Sequence, residues 1–390
     1  MSKRIPAIDW MRGIVMILMA TDHASSAFNS GRPVTDSVLI YDPSVPLDAV
    51  QFFYRWLSHL CAPTFLFLAG TALALSIGGK MARGVSGGSI DKDLLIRGLI
   101  ILGVDLFFIN WFWFPGAVLL QVMYAIGVAM IFMIPLRRLP GPLLMVLGAG
   151  ILFVTEFFLP SQITVPNTPG SVLVALLFGA GQFDTNLEAF GPWGALGIPD
   201  SFVSGYPVLP WLAMMMFGWV FGRWLLNRQN SPSRIDDTAR RLAATGVGAL
   251  ALFGVIRGFN TFGNLQLVRL DSSWIQWLHV SKYPPSAAFA ALELGLMSLT
   301  MAGLFVLQRR QGDDVNVNNP VLVFGQTALF FYIAHIFILE VSSRLLGVHV
   351  GSGLVVSNIA TAASLVILYP LCRWYRSYKR SHPTGVVKYL

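Results

Sequence analysis

The 390-residue chain has little charge: Asp, Glu, Lys and Arg make up 12% of it, against roughly a quarter in ordinary soluble domains. No long polar segment interrupts its apolar runs, so a soluble domain on a single anchor is excluded and neither a linker nor a second domain is expected. Cysteine is nearly absent. Cys61 and Cys372 lie far apart, each inside an apolar run, which argues for packing rather than for a disulfide or a metal pair. The HExxH, CxxC, P-loop and dinucleotide-binding patterns are missing at credible spacing, so neither metal nor nucleotide-hydrolysis chemistry is expected. Acidic residues are fewer than basic ones, 19 against 27. That excess sits in short loops beside apolar runs, the pattern of a topology signal, and no nucleic-acid partner is expected. The basic start MSKRIP resembles a signal-peptide entry, but the run after it carries Arg12, Asp22 and His23 and lacks a clear cleavage site, so it reads as a retained span.

What is abundant is apolar sequence, 55% of the residues, with a mean hydropathy of +0.65. Runs at 9–28, 52–78, 94–114, 117–136, 141–160, 206–226, 241–259, 285–308, 320–343 and 353–373 each approach the ~20 residues that a bilayer core requires. They predict an all-α integral membrane protein, about ten transmembrane helices in one bundle, with residues 1–390 as a single domain. SVLVALLFGAG, 171–181, is short, and counting it as a span would put the basic segment from Arg223 to Arg241 outside; it is expected to be re-entrant or interfacial. With the N-terminus cytoplasmic, all Lys and Arg fall on inside segments except Arg32, Arg55, Arg257, Arg269, Lys282 and Arg344. Both termini are therefore expected in the cytoplasm. The long outside segments 29–50, 161–205 and 260–284 read as ordered caps. GxxxG-like spacing is too undistinctive to argue a dimer, and a homo-oligomer is an open alternative.

Ionisable groups in such runs are costly in lipid and usually face the protein interior. They are Asp22 and His23, His59, Asp105, Glu293 and His335, with Glu156 and Arg257 nearer the outer ends. Arg12 and His23 stand eleven residues apart, close to three helical turns, so one stripe carries a cation at its start and a base about 16 Å further on. Taken singly, Arg12 is also an anchor at the interface, and His23 a packed histidine. As a base, His23 needs an orienting partner. Asp22 points about 100° away around the helix, which favours Asp105 or another span. His59, one turn after Arg55, is expected in the site or supporting it. Lys282 and Tyr283 in SKYPPS are candidates to meet an acceptor, although tandem proline also simply starts a helix. His335, near Tyr332 and Glu340, closes either the site or a polar seam. Glu293 needs a partner, for which Arg257 is the candidate.

The text RIPAIDWMRGIVMILMATDH (4–23), with HLCAPTFLFLAGTALAL at 59–75, resembles the bacterial branch of the heparan-α-glucosaminide N-acetyltransferase-like family. That family sits among membrane acyltransferases marked by Arg, ten residues and His on the first span. YPVLPWLAMMMFGWVFGR (206–223), SKYPPS (281–286) and FGQTALFFYIAHIFILE (324–340) extend the resemblance, which is strongest over 4–226 and continues through 281–340. It implies transfer of an acetyl group from cytoplasmic acetyl-CoA, the acyl donor, to an amine or hydroxyl of a sugar or glycan across a bacterial cytoplasmic membrane. Arg12 and His23 match the shared arginine and histidine. In the lysosomal members the position matching His23 is an asparagine and the catalytic histidine follows the first matched span; the corresponding segment here, ASSAFNSGRPV, has none. Cations expected at the inner mouth, Arg12 with Arg97 and Lys92 or Arg83, suit the phosphates of CoA. Two other classes compete. A proton-coupled transporter would use Asp22, His23, Glu293 and His335, but it predicts two related halves with broken helices, and no internal repeat is convincing. A non-catalytic structural protein leaves the Arg12–His23 stripe as coincidence.

Overall fold

Proline at the first turn pre-sets the helical φ, and α1 starts there, running Pro6–Phe28 until the extended backbone of Asn29 ends it. In a computed structural model, the structure describes residues 5–110, 117–159, 162–184, 201–231, 233–312 and 314–382. The expected span ends at 111–114, residues 185–200 of the capping segment, and Lys3, Arg4 and Lys388 lie outside the described residues.

Asp48 caps α2 (Ala49–Leu57) through its side chain, a 3₁₀ turn over Ser58–Leu60 follows, and α3 (Cys61–Ala82) continues from it. After Ser86, another capping side chain, comes α4 (Gly87–Val104), which ends in a π turn at Asp105–Ile109. Next in order are β1 (Val118–Leu120), α5 (Val122–Leu136), α6 (Gly141–Val154) with a 3₁₀ turn to Phe158, and α7 (Pro169–Leu177). β2 (Gly181–Asp184), β3 (Ser201–Ser204), α8 (Val208–Asn227) and α9 (Arg234–Phe259) follow. The last elements are α10 (Trp274–Leu278), α11 (Ala287–Gln311), α12 (Pro320–Gln326), α13 (Ala328–Leu345) and α14 (Leu354–Ser381).

The chain is mostly helical, 72%. Among the described residues, seven segments are long and apolar enough to cross a bilayer: Ala49–Ala82, Gly141–Phe158, Val208–Asn227, Arg234–Phe259, Ala287–Gln311, Ala328–Leu345 and Leu354–Ser381. The other three expected spans are the charged α1, the charged α4 and the 15-residue α5. Segment 171–181 forms α7, a nine-residue helix, and leads into β2. Strands were not expected from the sequence. β3 pairs parallel with β1 and antiparallel with β2, with Phe202 opposite both Val118 and Phe183.

α1 lies at the centre, against α3, α11, α12, α13 and α14. Glycine makes its closest approaches. Gly13 lies so near α12 that a Cβ there would stand 1.8 Å from the Val321 carbonyl oxygen, and one at Gly325 would meet the Asp9 oxygen at 1.8 Å. α3 and α8 meet in the same way, a Cβ at Gly218 falling 1.8 Å from the Phe67 oxygen. Gly218→Ala should therefore lower the melting temperature in detergent, with overpacking on the order of 1–3 kcal/mol. Gly254 in α9 has nothing within 4 Å of a built Cβ. Gly254→Ala should raise the melting point slightly, by about 0.5–1 kcal/mol of helix preference, and equal effects of the two substitutions would contradict this packing.

Candidate active site

The end of α1 lies under a cap made by the 29–48 loop, the small sheet and the turn at 279–286. Between them is a cavity of about 460 Å³, whose walls include Asp22, His23, Arg32, Lys282, Tyr283 and Tyr332. The sheet adds Leu119, Val203 and Ser204 to its wall.

His23 sits at this wall, and its Nδ1 is 2.7 Å from Nε2 of His335, with the two ring planes 10° apart and their centres 4.9 Å apart. His335, fully buried on α13, makes its other bond from Nδ1 to the Phe331 carbonyl at 2.9 Å. A carbonyl only accepts, so His335 carries its proton on Nδ1 and, when neutral, offers a lone pair on Nε2. His23 must then donate from Nδ1, which leaves the lone pair of neutral His23 on Nε2. The group bonded to His23 is thus His335, on another span, and of the two expected alternatives, Asp105 or another span, it is the second that the structure brings to His23. Asp105, placed by the π turn, accepts from the Tyr124 backbone N–H at 2.8 Å through Oδ2, with Gln121 also beside it.

Asp22 instead meets arginine. Arg55 Nη1 donates to both of its oxygens at 2.7 Å, and Arg32 Nη2 approaches at 3.1 Å. The same Arg55 guanidinium turns its other edge to Asp36, with Nε at 2.9 Å and Nη2 at 2.5 Å, and His59 Nε2 donates to the second Asp36 oxygen at 3.2 Å. Burial raises the Asp36 carboxyl, but the Arg55 charge and then the His59 contact outweigh it and hold Asp36 well below the usual carboxylate range. The Asp36 backbone oxygen also accepts from the N–H groups of Lys282 and Tyr283. One acidic loop residue thereby fixes α2, the 3₁₀ turn and the SKYPPS segment together.

Lys282 is 3% exposed, its ammonium 5.2 Å from the Tyr283 ring centre, and no carboxylate pairs with it among the described residues. Burial opposes ionisation of the Tyr283 phenol, but Lys282 and Arg55 outweigh it and lower its pKa. Tyr206, which meets the Tyr283 hydroxyl at 3.4 Å, is pushed well up by burial and by that neighbour. The Tyr332 hydroxyl is buried with no hydrogen-bond partner among the described residues, its ring 6.2 Å from that of His23.

The remaining expected residues lie elsewhere. Arg12 bonds Asp9 at 3.1 Å and the Gly325 carbonyl at 3.3 Å, and Arg97, whose buried Nε has no hydrogen-bond partner among the described residues, is within electrostatic reach of it. Lys92 and Arg83 are exposed near the α3–α4 connection. None of these four cations lines the cavity. Glu293 is 1% exposed and does not line it either; its Oε1 has no hydrogen-bond partner among the described residues, and the charge of Lys282 reaches it. The expected Arg257 partnership is corrected. The Arg257 guanidinium is spent on Asn264 and on the carbonyls of Leu267, Gln276, Trp277 and His279, which tie down the 264–279 loop. Sequence reasoning missed Arg55 and Asp36 as the centre of the cluster. A cation on the side with few of them, beside an apolar run, was the available signal.

The family "Heparan-alpha-glucosaminide N-acetyltransferase, catalytic" matches residues 4–256, more than half of the chain. The chain belongs to that family. Comparison with curated proteins finds no match. Membership in the heparan-alpha-glucosaminide N-acetyltransferase family implies acetyltransferase activity at a membrane. The matched stretch carries Arg12, Asp22, His23, Arg55, His59 and Asp105, whereas Lys282, Tyr283, Glu293 and His335 lie beyond it.

Arg55→Gln removes the cation shared by two buried acids, and such a loss costs about 3–5 kcal/mol. Asp36 has a depressed folded pKa, so its share of stability is complete above the unfolded value of about 3.9 and is lost as pH falls through the lower folded value. Thermal melts across pH should show the acid limb of Arg55→Gln displaced to higher pH, and parallel profiles would refute the coupling.

Proposed function

We propose that this chain transfers an acetyl group from acetyl-CoA to an amine or hydroxyl of a sugar or glycan, with His23 as general base. The observation that carries the reading is the hydrogen-bond chain from the Phe331 carbonyl through His335 to His23, in a cavity whose wall also holds Lys282, Tyr283 and Tyr332. It sets the tautomer that a base requires, with the lone pair on Nε2. As the acceptor nitrogen or oxygen attacks the thioester carbonyl carbon, a new N–C or O–C bond forms and the C–S bond breaks. His23 Nε2 takes the proton of the nucleophile and returns it to the departing CoA sulfur. The carbonyl oxygen gains negative charge in between. Lys282, Tyr332 and the acidified Tyr283 phenol are the groups that meet it, acting in a cavity closed over by the cap.

His59 and Asp36 serve this site by holding Arg55, and Asp22 by anchoring the end of α1. Asp105 holds the turn into α5 and borders β1. Arg12 and Arg97, like charges near one another, together with Lys92 and Arg83, form the basic mouth suited to the CoA phosphates. The excess of Lys and Arg on alternate connections supports both termini in the cytoplasm, with this mouth inside and the His23 cavity toward the far face; a bacterial inner membrane as the setting rests on the resemblance to the bacterial branch alone. Glu293 is read as a buried acid balanced at a distance by Lys282.

His23→Gln keeps a polar side chain but cannot accept a proton at neutral pH. It should lower transfer of labelled acetyl to an amino sugar by on the order of 10²–10⁴ while acetyl-CoA binding, followed by calorimetry, persists; near-normal turnover would remove His23 as the base. His335 supports a two-sided comparison. Gln there keeps an acceptor for His23 Nδ1 and should retain more activity than Leu, with the loss in kcat rather than KM. Equal losses in both variants would assign His335 to packing.

A further inference from the structure

A second cavity, of about 760 Å³, lies away from His23, between α6, α8, α9 and α11. Its wall on α11 is one helical face of small residues, Ala287, Ala290 and Ala291, which continues to Leu294 and Ser298. On α9 the facing stripe is Arg241, Thr245, Ala249 and Leu252 at spacings of four, four and three, so a single line carries a cation at one end and small or apolar groups for about 16 Å beyond it. The rim is open. Met145 and Leu252 are 43% and 44% exposed, on helices long and apolar enough to cross a bilayer, so the surface that they share faces acyl chains.

The head of the groove is charged in a particular way. Arg228 and Arg240 both pair with Asp237, and Arg309 pairs with Asp236. Arg241, the neighbour of Arg240, has no carboxylate among the described residues; its guanidinium lies 5.3 Å from the Trp224 ring, which also lines the groove. A planar cation held over an interfacial tryptophan, at the end of an apolar trough, matches one molecule with a phosphate at one end and a hydrocarbon chain at the other.

We propose that this groove binds one anionic glycerophospholipid, its phosphate on Arg241 and one acyl chain along the alanine face of α11. Pairing of a headgroup phosphate with a guanidinium distinguishes anionic from zwitterionic lipid, because the choline of the latter brings a second cation to the same place. The claim does not depend on the reaction at His23. Purified full-length protein in detergent is titrated with palmitoyl-oleoyl phosphatidylglycerol or with phosphatidylcholine of the same chains, and bound lipid is read by native mass spectrometry. The expected result is selective retention of phosphatidylglycerol. Arg241→Gln should weaken it at least tenfold, about 1.4 kcal/mol, whereas Arg240→Gln, whose arginine pairs with Asp237, leaves it unchanged. Thr245→Phe, at an exposed position in the groove, should abolish retention of the chain with an unaltered size-exclusion profile. Equal retention of the two lipids, or retention that Arg241→Gln leaves intact, overturns the proposal. So does a dimer that Thr245→Phe dissociates, since a second copy of the chain would then cover the groove.

Discussion

The guanidinium of Arg55 holds Asp22 and Asp36 at once, in a place almost closed to water, and the site is assembled around it. Burying three charges is costly, and the cluster stands only because each carboxylate oxygen has a donor: Asp22 from Arg55 and Arg32, Asp36 from Arg55 and His59. The acids belong to different segments. Asp22 lies in the last two turns of α1 and Asp36 in the loop that follows it, while the backbone of Asp36 catches the turn that carries Lys282 and Tyr283. Charge compensation thereby sets the distance between the helix that bears His23 and the turn that bears the cation opposite.

Because Asp22 is committed to arginine, control of the His23 tautomer passes to His335. A neutral imidazole in that place orients without adding a second negative charge next to the cavity. The chain of bonds ends on a main-chain carbonyl, Phe331, one turn earlier on the same helix. Such a relay fixes where the lone pair points, and in the proposed reaction leaves charge stabilisation to the cations and phenols of the opposite wall.

The two cavities reflect two ways of using small residues. Where glycine stands at α1–α12 and α3–α8, backbones touch and no space is left. Where alanine lines α11 opposite α6, the helices stay apart and a trough remains, with Arg241 at its mouth. The first arrangement makes the bundle rigid around α1. The second offers surface to the lipid.

Membrane placement, the helical class and the family were legible in the residues because each is a local property: hydropathy over some twenty residues, charge beside it, and an Arg–His spacing on one stripe. His23 and His335 were legible as polar groups that lipid disfavours, and Lys282 and Tyr283 as candidates to meet an acceptor just outside a span, though none of them as partners. The pairing of His23 with His335 spans 312 residues of sequence and that of Tyr206 with Tyr283 spans 77. No periodicity encodes them. Short strands at 118–120 and 201–204 escaped because their apolar residues read equally well as helix ends, and only pairing with each other defines them. Asp105 was one candidate to orient the base because Asp22 points away around α1. A π turn aims it at α5 instead, and Arg257, expected beside Glu293, folds outward to a loop. Sequence determined which groups are buried at a cost, since hydropathy is read one segment at a time. Tertiary structure alone decided which of them meet, since hydrogen bonds and ion pairs depend on the rotation and contact of helices far apart in the chain.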